Sequence, residues 1–301
     1  MIFGAQLPWN EKWKKRLYTL YMAALVQLGF SLVEGKEQLL LENLRGLRRV
    51  IVAYSGGTDS AYLAWAAHRA LGADAIAVTA DSASIPTSHK RAAEAFAREC
   101  GFHHEYIETH EFENPDYVKN DKDRCFHCKD ELFDRLAEFG KERGYEHIIY
   151  GVNQDDLGDY RPGQRAAKIH SVKAPLVEAG LTKSEIRELS RRAGLSTWDR
   201  PAAACLSSRV PYGTPVTVET IQTIEQGEEA VRALGFRQFR VRFHGDLVRI
   251  EIAKEELGAA LKPEMARAFT EIFKPLGFLY VTLDLEGYRQ GSLNAALHAN
   301  A

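Results

Sequence analysis

The sequence has few cysteines, little net charge, and no long apolar run beyond its N-terminal segment. Only four of its 301 residues are cysteines, too few for a disulfide scaffold, so we expect a reducing, cytoplasmic setting and metal-binding or catalytic cysteines. The formal net charge of −2 excludes the basic field that attracts nucleic acid non-specifically. No later run reaches the ~18–20 apolar residues of a membrane span. We therefore expect a soluble globular protein whose partners are neither membranes nor nucleic acids.

The N-terminal segment combines a basic cluster with a mostly apolar run, as secretory signals do. Gln27 interrupts that run, and no small-x-small cleavage site follows it cleanly. An amphipathic pattern over residues 36–49 predicts a helix that leads into the fold. We therefore interpret residues 1–47 as a helical lead-in.

Alternating strand and helix patterns predict a doubly wound, parallel α/β sheet in residues 48–214. Short apolar or β-branched runs predict its four strands, which we place at residues 50–54, 74–84, 103–110 and 147–156. Cys100 ends a predicted helix beside apolar positions and is interpreted as a packed core thiol. In open parallel sheets, ligands bind beyond the carboxyl ends of the strands, so residues that follow the strands are the first candidates for a site.

The first strand turns into a helix through the stretch Ser55-Gly56-Gly57-Thr58-Asp59-Ser60. Adjacent glycines let the backbone approach an anion, and the first N–H groups of a helix point at it. No Gly-Lys-Ser/Thr follows, so this is not the phosphate loop of kinases and GTPases. A capped Gly-Gly turn of no special function would look similar. Between a strand and an amphipathic helix, however, the stretch resembles the pyrophosphate loop (PP-loop) of the ATP pyrophosphatases. That resemblance implies ATP binding by these six residues together with Thr79 and Asp81 at the end of the second strand.

The fourth predicted strand runs into a second polar stretch, GVNQDDLGDYRPGQRAA, residues 151–167. It could be a polar surface loop. Because it follows a strand of the same sheet, we favour a binding role in which carboxylates hold Mg²⁺ and an arginine pairs with an anionic substrate. The candidates are Asn153, Asp155, Asp156, Asp159 and Arg161.

Cys125 and Cys128 lie three residues apart at the start of a predicted helix that runs to about residue 139. We expect the helix dipole and Lys129 to favour their thiolates. A thioredoxin-type dithiol follows a strand in a much smaller fold. A structural zinc site needs four ligands; His127 and the other two cysteines could complete one, although no second close pair exists. The pair and Cys205 together instead suit a [4Fe–4S] cluster in which one iron has no protein ligand.

Cys205 lies in the stretch PAAACLSSRVPYGT, after a predicted helix that opens with a capping box of Thr182 and Glu185. A lone cysteine in a loop is more often a small hydrophobic residue than a ligand. The polar residues beside it favour a site; they are Ser207, Ser208 and Arg209.

Four stretches in this order resemble the LarE family, the pyridinium-3,5-dicarboxylate mononucleotide sulfurtransferases: AYSGGTDS, YGVNQDDLGDYRPG, PAAACLSSRVPYGT and RVRFHGD. The resemblance covers residues 48–294 and implies the adenine nucleotide α-hydrolase (PP-loop) fold. It also implies ATP- and Mg²⁺-dependent adenylation of a carboxylate of the mononucleotide, followed by conversion to a thiocarboxylate. That product enters the nickel-pincer cofactor of lactate racemase. Family members are also expected to form homo-oligomers.

Some members of this family have one cysteine, at the position of Cys205, and give up its sulfur. This sequence departs from them in carrying Cys125 and Cys128. It resembles a three-cysteine branch, in which a [4Fe–4S] cluster bound by all three catalytic cysteines carries the sulfur and the donor is sulfide or another sulfur compound. Because Cys205 is present in both cases, the sacrificial route stays open.

From residue 215 to residue 301 the pattern changes to that of a smaller α+β domain, in which a helix–glycine–strand unit occurs twice. Arg240 and Arg242 alternate with apolar residues and therefore share one strand face, which could be a solvated surface. By resemblance, this pair and Glu228 belong to a cluster that binds the substrate phosphate or forms an oligomer interface. Ser208 and Arg209, beside Cys205, are further candidates for substrate or Mg²⁺ binding.

Three other functions compete with this interpretation. A tRNA thiolase also joins a PP-loop to three cysteines, but it calls for a basic RNA-binding face. An amide-forming synthetase has no need of the Cys125–Cys128 pair. A zinc or iron–sulfur protein that merely senses ATP would bind metal without turning ATP over.

Overall fold

The computed structural model describes residues 18–23, 27, 31–158, 162–201 and 204–289. Residues 18–23 are helical. The first long helix, α1 (Leu32–Leu47), starts four residues before the predicted helix because Ser31 and Glu34 form a capping box there. Among the residues so described, no helix is long and apolar enough to span a membrane.

Four parallel strands form the central sheet in the order β3-β2-β1-β4. The strand β1 (Val50–Ala53) is buried along its whole length, as a continuous apolar run predicts for a central parallel strand. It lies between β2 (Ala75–Asp81) and β4 (His147–Tyr150), and β3 (His103–Glu108) forms the outer edge beside β2. The predicted α/β class with a parallel sheet is therefore confirmed.

The fourth strand is shorter than predicted. It ends at Tyr150, and residues Gln154–Gly158 form a 3-10 turn instead. The side chains of Asn153 and Asp156 accept hydrogen bonds from backbone N–H groups of this turn, at 2.9 Å and 3.1 Å. Such local bonds offer the backbone an alternative to the strand ladder.

Helices cover both faces of the sheet. They are α2 (Thr58–Leu71), α3 (Thr87–Cys100), α4 (Pro115–Val118), α5 (Arg124–Arg143), α6 (Pro162–Ile169), α7 (Pro175–Glu178) and α8 (Lys183–Arg192). On one face, Val50 and Val52 pack with α1, α2, α3 and α8. On the other face, Ile51 packs with α5 and α6. Because successive residues of β1 enter opposite layers, the sheet has a core on each side. The helix α5 runs four residues past its predicted end and stops at Gly144, which is in the left-handed conformation.

The strand order places a topological switch between β1 and β4, where the chain leaves neighbouring strands in opposite directions. The segments after these strands meet closely: a Cβ on Gly151 would lie 2.6 Å from the backbone N of Ser60. Since ligands of open parallel sheets bind at such a switch, this is the first place to look for a site.

The C-terminal residues form a small three-stranded sheet. The strand β5 (Phe239–His244) is antiparallel to β6 (Leu247–Ile252), which is parallel to β7 (Tyr280–Leu283). The helices are α9 (Val218–Ala233), α10 (Lys254–Ala260) and α11 (Pro263–Phe273); α10 was not predicted. The core of this unit also contains Tyr117 from α4 and Leu206 and Val210, so it is continuous with the loop around Cys205.

Candidate active site

The predicted phosphate loop, residues 55–60 and called the phosphate loop below, is held in shape from several sides. Gly56 has a φ of +72°, and a Cβ there would lie 3.1 Å from the Cβ of Ala93. The guanidinium of Arg200 donates to the Gly56 carbonyl at 2.6 Å, and the hydroxyls of Ser55 and Ser60 lie 3.0 Å apart. The N-cap of α2 is a glycine, which offers no side-chain acceptor to the first N–H groups of the helix. Those groups can therefore take an anion.

Asp59 connects the phosphate loop with the second predicted stretch. Both of its carboxylate oxygens accept from Nζ of Lys183 at 2.8 Å, and one accepts from the side-chain amide of Asn153 at 3.3 Å. The backbone N–H of Lys183 donates in turn to Asp155 at 2.8 Å. The structure thus brings Asp59, Asn153 and Asp155 together around one lysine.

The carboxylates at this edge offer oxygen donors of the kind that Mg²⁺ prefers. Asp156 is buried, and its Oδ2 accepts from the backbone N–H of Asn153, so this acid also shapes the turn. Asp159 and Arg161 lie outside the described residues, and their roles stay predictions.

The two candidates on β2 have partners of their own. The hydroxyl of Thr79 is buried; it donates to the Tyr54 carbonyl at 2.7 Å and lies 2.9 Å from His104 Nε2. Asp81 pairs with Lys90 at 2.5 Å and is half exposed. Thr79 therefore holds β1 to β2 at the sheet edge, and the assignment of both residues to ATP binding stays a prediction.

The segment before α5 is fastened to residues 204–216, called the Cys205 loop below. Asn120, fully buried, donates to the carbonyls of Pro211 and Thr214 at 2.8 Å. Arg124 donates to the Ser207 carbonyl at 2.8 Å. The hydroxyls of Tyr117 and Ser207 lie 2.7 Å apart. These contacts bring Cys205 to the start of α5, where the other two cysteines lie.

The three cysteines are close enough for their charges to interact. Cys125 as a residue is exposed at the surface, but its thiol lies among other atoms. This burial of the thiol, and next the charge of Cys205, raise the pKa of Cys125. Burial and then Glu111 raise the pKa of Cys128 to about 12, with smaller contributions from the other two cysteines. Lys129 acts to lower the pKa of both thiols, as predicted, but burial outweighs it and the net shift is upward. Metal binding would release the protons of these thiols.

The donor set fits an iron–sulfur group. Thiolates are the usual ligands of such clusters. A single tetrahedral zinc ion, with Zn–S bonds of about 2.3 Å, would hold its sulfurs roughly 3.8 Å apart. Among the described residues, the sulfurs of Cys125, Cys128 and Cys205 do not all lie within 4.8 Å of one another. The assignment of a [4Fe–4S] cluster to these three cysteines stays a prediction. Cys100 lies apart, against the core of the sheet, and burial raises its pKa to about 11.

The predicted phosphate cluster lies where the Cys205 loop meets β5. Arg209 is buried and paired with Glu228 at 2.8 Å. Arg242 donates to the Ser208 carbonyl at 2.9 Å and pairs with Glu251 at 2.8 Å. The guanidinium of Arg240 lies 4.9 Å from the ring centroid of Tyr288. Burial, and next Arg209, lower the pKa of Arg240, as expected where cations crowd together. Their assignment to a phosphate stays a prediction.

Sequence reasoning missed several residues of the site: Lys183, Arg200, Asn120, Arg124 and Glu111. Lys183 directly follows the predicted cap Thr182, so its place at a helix start could have been noticed. The others lie in stretches whose pattern carries no sign of their partners.

No family model matches the chain. The pyridinium-3,5-bisthiocarboxylic acid mononucleotide synthase of Lactiplantibacillus plantarum is 34% identical over 264 residues, which cover 87% of this chain and 95% of that protein. An uncharacterized protein of Synechocystis sp. is 44% identical over 261 residues, 85% of this chain and 97% of that protein. An uncharacterized protein of Methanocaldococcus jannaschii is 29% identical over 172 residues, 57% of this chain and 66% of that protein. Because the match to the synthase spans nearly all of both proteins, the resemblance inferred from the motifs is confirmed, and the chain belongs to the LarE family.

Proposed function

We propose that this protein is an ATP-dependent sulfurtransferase that converts a carboxylate of a pyridinium-3,5-dicarboxylate mononucleotide into a thiocarboxylate for nickel-pincer cofactor synthesis. One structural observation supports the proposal that ATP-dependent activation and sulfur transfer act on the same substrate. Arg200 holds Gly56 of the phosphate loop, and Cys205 follows only five residues later. Five residues span at most about 18 Å, which supports a reaction in which the nucleotide and the sulfur both reach one mononucleotide.

In the first step, a carboxylate oxygen of the substrate attacks the α-phosphorus of ATP, and pyrophosphate leaves. The backbone N–H groups at the start of α2 receive the phosphates. Asp59 and Asp155 supply oxygen ligands for the accompanying Mg²⁺. Lys183, which bonds both oxygens of Asp59, is placed to neutralise negative charge as pyrophosphate forms.

In the second step, sulfur replaces AMP at the acyl carbon. When bound, a [4Fe–4S] cluster on Cys125, Cys128 and Cys205 would supply the sulfide. Holding the nucleophile beside the mixed anhydride favours its attack over hydrolysis by water. In the sacrificial alternative, the Cys205 thiol forms a thioester and AMP leaves. Loss of the Cα proton then breaks the Cβ–Sγ bond and gives the thiocarboxylate and dehydroalanine.

The arginines at the junction of the Cys205 loop and β5 are proposed to bind the substrate phosphate, through Arg240 and Arg242. In this proposal Arg209 and Glu228, which pair with each other, position the Cys205 loop. Arg242 would bind the phosphate with a guanidinium that Glu251 and the Ser208 carbonyl already hold in place. We also propose that the protein forms a homo-oligomer and receives its sulfur as sulfide or from a sulfur donor.

The test is an anaerobic assay with the iron-reconstituted protein, ATP, Mg²⁺, sulfide and the mononucleotide. We expect pyrophosphate release that depends on the mononucleotide, and a product in which mass spectrometry finds one oxygen replaced by sulfur. Asp59→Asn should lose both. Cys205→Ala should still release pyrophosphate but form no thiocarboxylate. Formation of ADP, or no ATP turnover, would contradict the proposal.

Cys100→Ala is the matched control, since it removes a core thiol that lies apart from the other three; its activity should equal that of the wild type. Bulk tRNA in place of the mononucleotide tests the thiolase alternative, and we expect no sulfur incorporation. Dehydroalanine at position 205 after one turnover would favour the sacrificial route over the cluster.

A further inference from the structure

Glu111 is a buried carboxylate with no role in the reaction described above. It is 2% exposed and lies in a short 3-10 turn, Glu111–Glu113, after the carboxyl end of β3. Its Oε1 accepts from the hydroxyl of Ser82 and, at 3.3 Å, from that of Ser84. Within the described part of the chain, no arginine, lysine or histidine pairs with it, and Oε2 accepts no hydrogen bond.

Burying a carboxylate in this position costs free energy unless a positive charge is paired with it. Buried charges in proteins are paired with an opposite charge or coordinate a metal. Two serine hydroxyls stabilise the anion at Oε1, but they do not neutralise it. The arrangement therefore indicates a cationic partner on the side of Oε2.

The surroundings of Glu111 place that partner among the cysteines. Ser84, which holds Glu111 through its hydroxyl, also accepts from the backbone N–H of Leu206 at 2.7 Å, and Leu206 directly follows Cys205. On the other side, the turn Glu111–Glu113 contacts α5, and its Phe112 packs against the same hydrophobic cluster as Cys128. Glu111 therefore lies between the Cys205 loop and the start of α5.

We propose that Glu111 is a fourth protein donor of the three-cysteine metal centre, binding metal through Oε2 while Ser82 and Ser84 hold Oε1. The proposal rests on the metal centre of the proposed function. Three cysteines leave one iron of a cluster without a protein ligand, and a carboxylate is a weaker partner for iron than a thiolate. Glu111 would thus occupy the open position until hydrosulfide, HS⁻, displaces it. One monoanion replaces another in that exchange, so the charge of the centre does not change.

The test compares wild type, Glu111→Gln and Glu113→Gln after anaerobic reconstitution with iron and sulfide. Glu113 lies in the same turn, but its side chain is 81% exposed, which makes it the matched control. We expect wild type and Glu113→Gln to give the same electron paramagnetic resonance spectrum after reduction. Glu111→Gln should give a different spectrum and should lose iron at about tenfold lower chelator concentration. An unchanged spectrum with unchanged iron retention would overturn the proposal.

Thermal unfolding separates a metal ligand from a merely structural carboxylate. Removing an uncompensated buried charge should raise the Tm of the metal-free protein and lower that of the iron-loaded protein. A fall in both forms would overturn the proposal. Glu111→Asp keeps the charge but shortens the side chain, and it replaces the glutamine variant if that variant does not fold. Glu111→Asp should also lose iron more readily than the wild type. If the wild type binds no metal, both this proposal and the proposed metal centre are overturned. If the wild type binds the metal centre and Glu111→Gln has the same spectrum and iron retention, only the role of Glu111 is overturned.

Discussion

Arg209 and Glu228 form a two-point ion pair that joins the Cys205 loop to α9. Nε of Arg209 donates to Oε1 at 2.8 Å and Nη2 donates to Oε2 at 3.0 Å. The side chains are only 2% and 6% exposed. The third nitrogen, Nη1, donates to the carbonyls of Ala204 and Cys205, both at 2.8 Å. One guanidinium therefore fixes the backbone at Cys205 and ties it to the C-terminal unit.

Glu228→Gln should destabilise the protein strongly, because it leaves the buried guanidinium of Arg209 without its counter-charge. We expect a loss of about 3–5 kcal/mol in the free energy of unfolding, measured by urea denaturation. The double variant Arg209→Met/Glu228→Leu should recover most of it. Glu229→Gln, which breaks the exposed pair with Arg232, should cost less than about 1 kcal/mol. Equal losses in the two single variants would contradict this prediction.

Gly151→Ala should impair the proposed ATP turnover, although it alters no candidate ligand. The added Cβ would lie 2.6 Å from the backbone N and 2.7 Å from the Cα of Ser60, so the phosphate loop itself must move. A displacement of about 1 Å near reacting groups can lower the rate on the order of 100-fold, which a pyrophosphate-release assay would detect. Gly258→Ala, in α10 with nothing within 4 Å of its new Cβ, should keep full activity and gain about 0.5–1 kcal/mol of stability. Full activity of Gly151→Ala would refute the argument.

The parallel sheet and the glycine turn that joins β1 to α2 could be predicted because local patterns determine them. The run Val50–Ala53 is buried throughout, as its composition indicates, and Gly56 takes the positive φ that a glycine in such a loop permits. The hydrogen-bonded pairs that hold the site together leave no pattern in the sequence. Lys183 is 124 positions from Asp59, and Arg200 is 144 positions from Gly56. Contacts between single polar side chains produce no periodicity, so only the folded chain reveals them.

The pKa values of the cysteines likewise could not be predicted from the sequence. Their spacing and Lys129 could be read from the sequence, and Lys129 does act to lower the pKa of Cys128. Burial and Glu111, seventeen positions earlier in the chain, act in the opposite direction and prevail. A pKa in a folded protein depends on neighbours in space, and these were not available from the spacing alone.

Asn120 variants should separate backbone strain from lost hydrogen bonds. Asn120 has a φ of +58°, which asparagine and glycine tolerate better than alanine does. Its side chain satisfies the carbonyls of Pro211 and Thr214, and each buried group left unsatisfied costs about 1–3 kcal/mol. In urea denaturation both Asn120→Gly and Asn120→Ala should therefore lose stability, the alanine variant by about 1 kcal/mol more. Both should also retain less iron at the proposed metal centre, because the Cys205 loop loosens. Equal stability of the two variants would show that strain is absent.

Glu185 should make the stability of the protein pH-dependent on the acid side. Its carboxylate accepts from Nζ of Lys36 at 2.7 Å and 2.8 Å, joining α8 to α1, and it also bonds the Thr182 cap. Burial alone would raise its pKa, but Lys36 and Thr182 together hold the pKa below its ordinary value of 4.5. A carboxyl group whose pKa falls on folding stabilises the protein above its unfolded-state pKa.

That contribution is complete above pH 4.5 and is lost as the pH falls through the lower folded-state value. Wild type should therefore exceed Glu185→Gln in free energy of unfolding by a constant amount near neutral pH, and the difference should shrink in acid. Urea denaturation over a pH series measures it. Lys36→Met should remove most of the same pH dependence, because it removes the main charge that lowers the pKa. A difference that stays constant or widens in acid would mean that the ion pair does not set the pKa of Glu185.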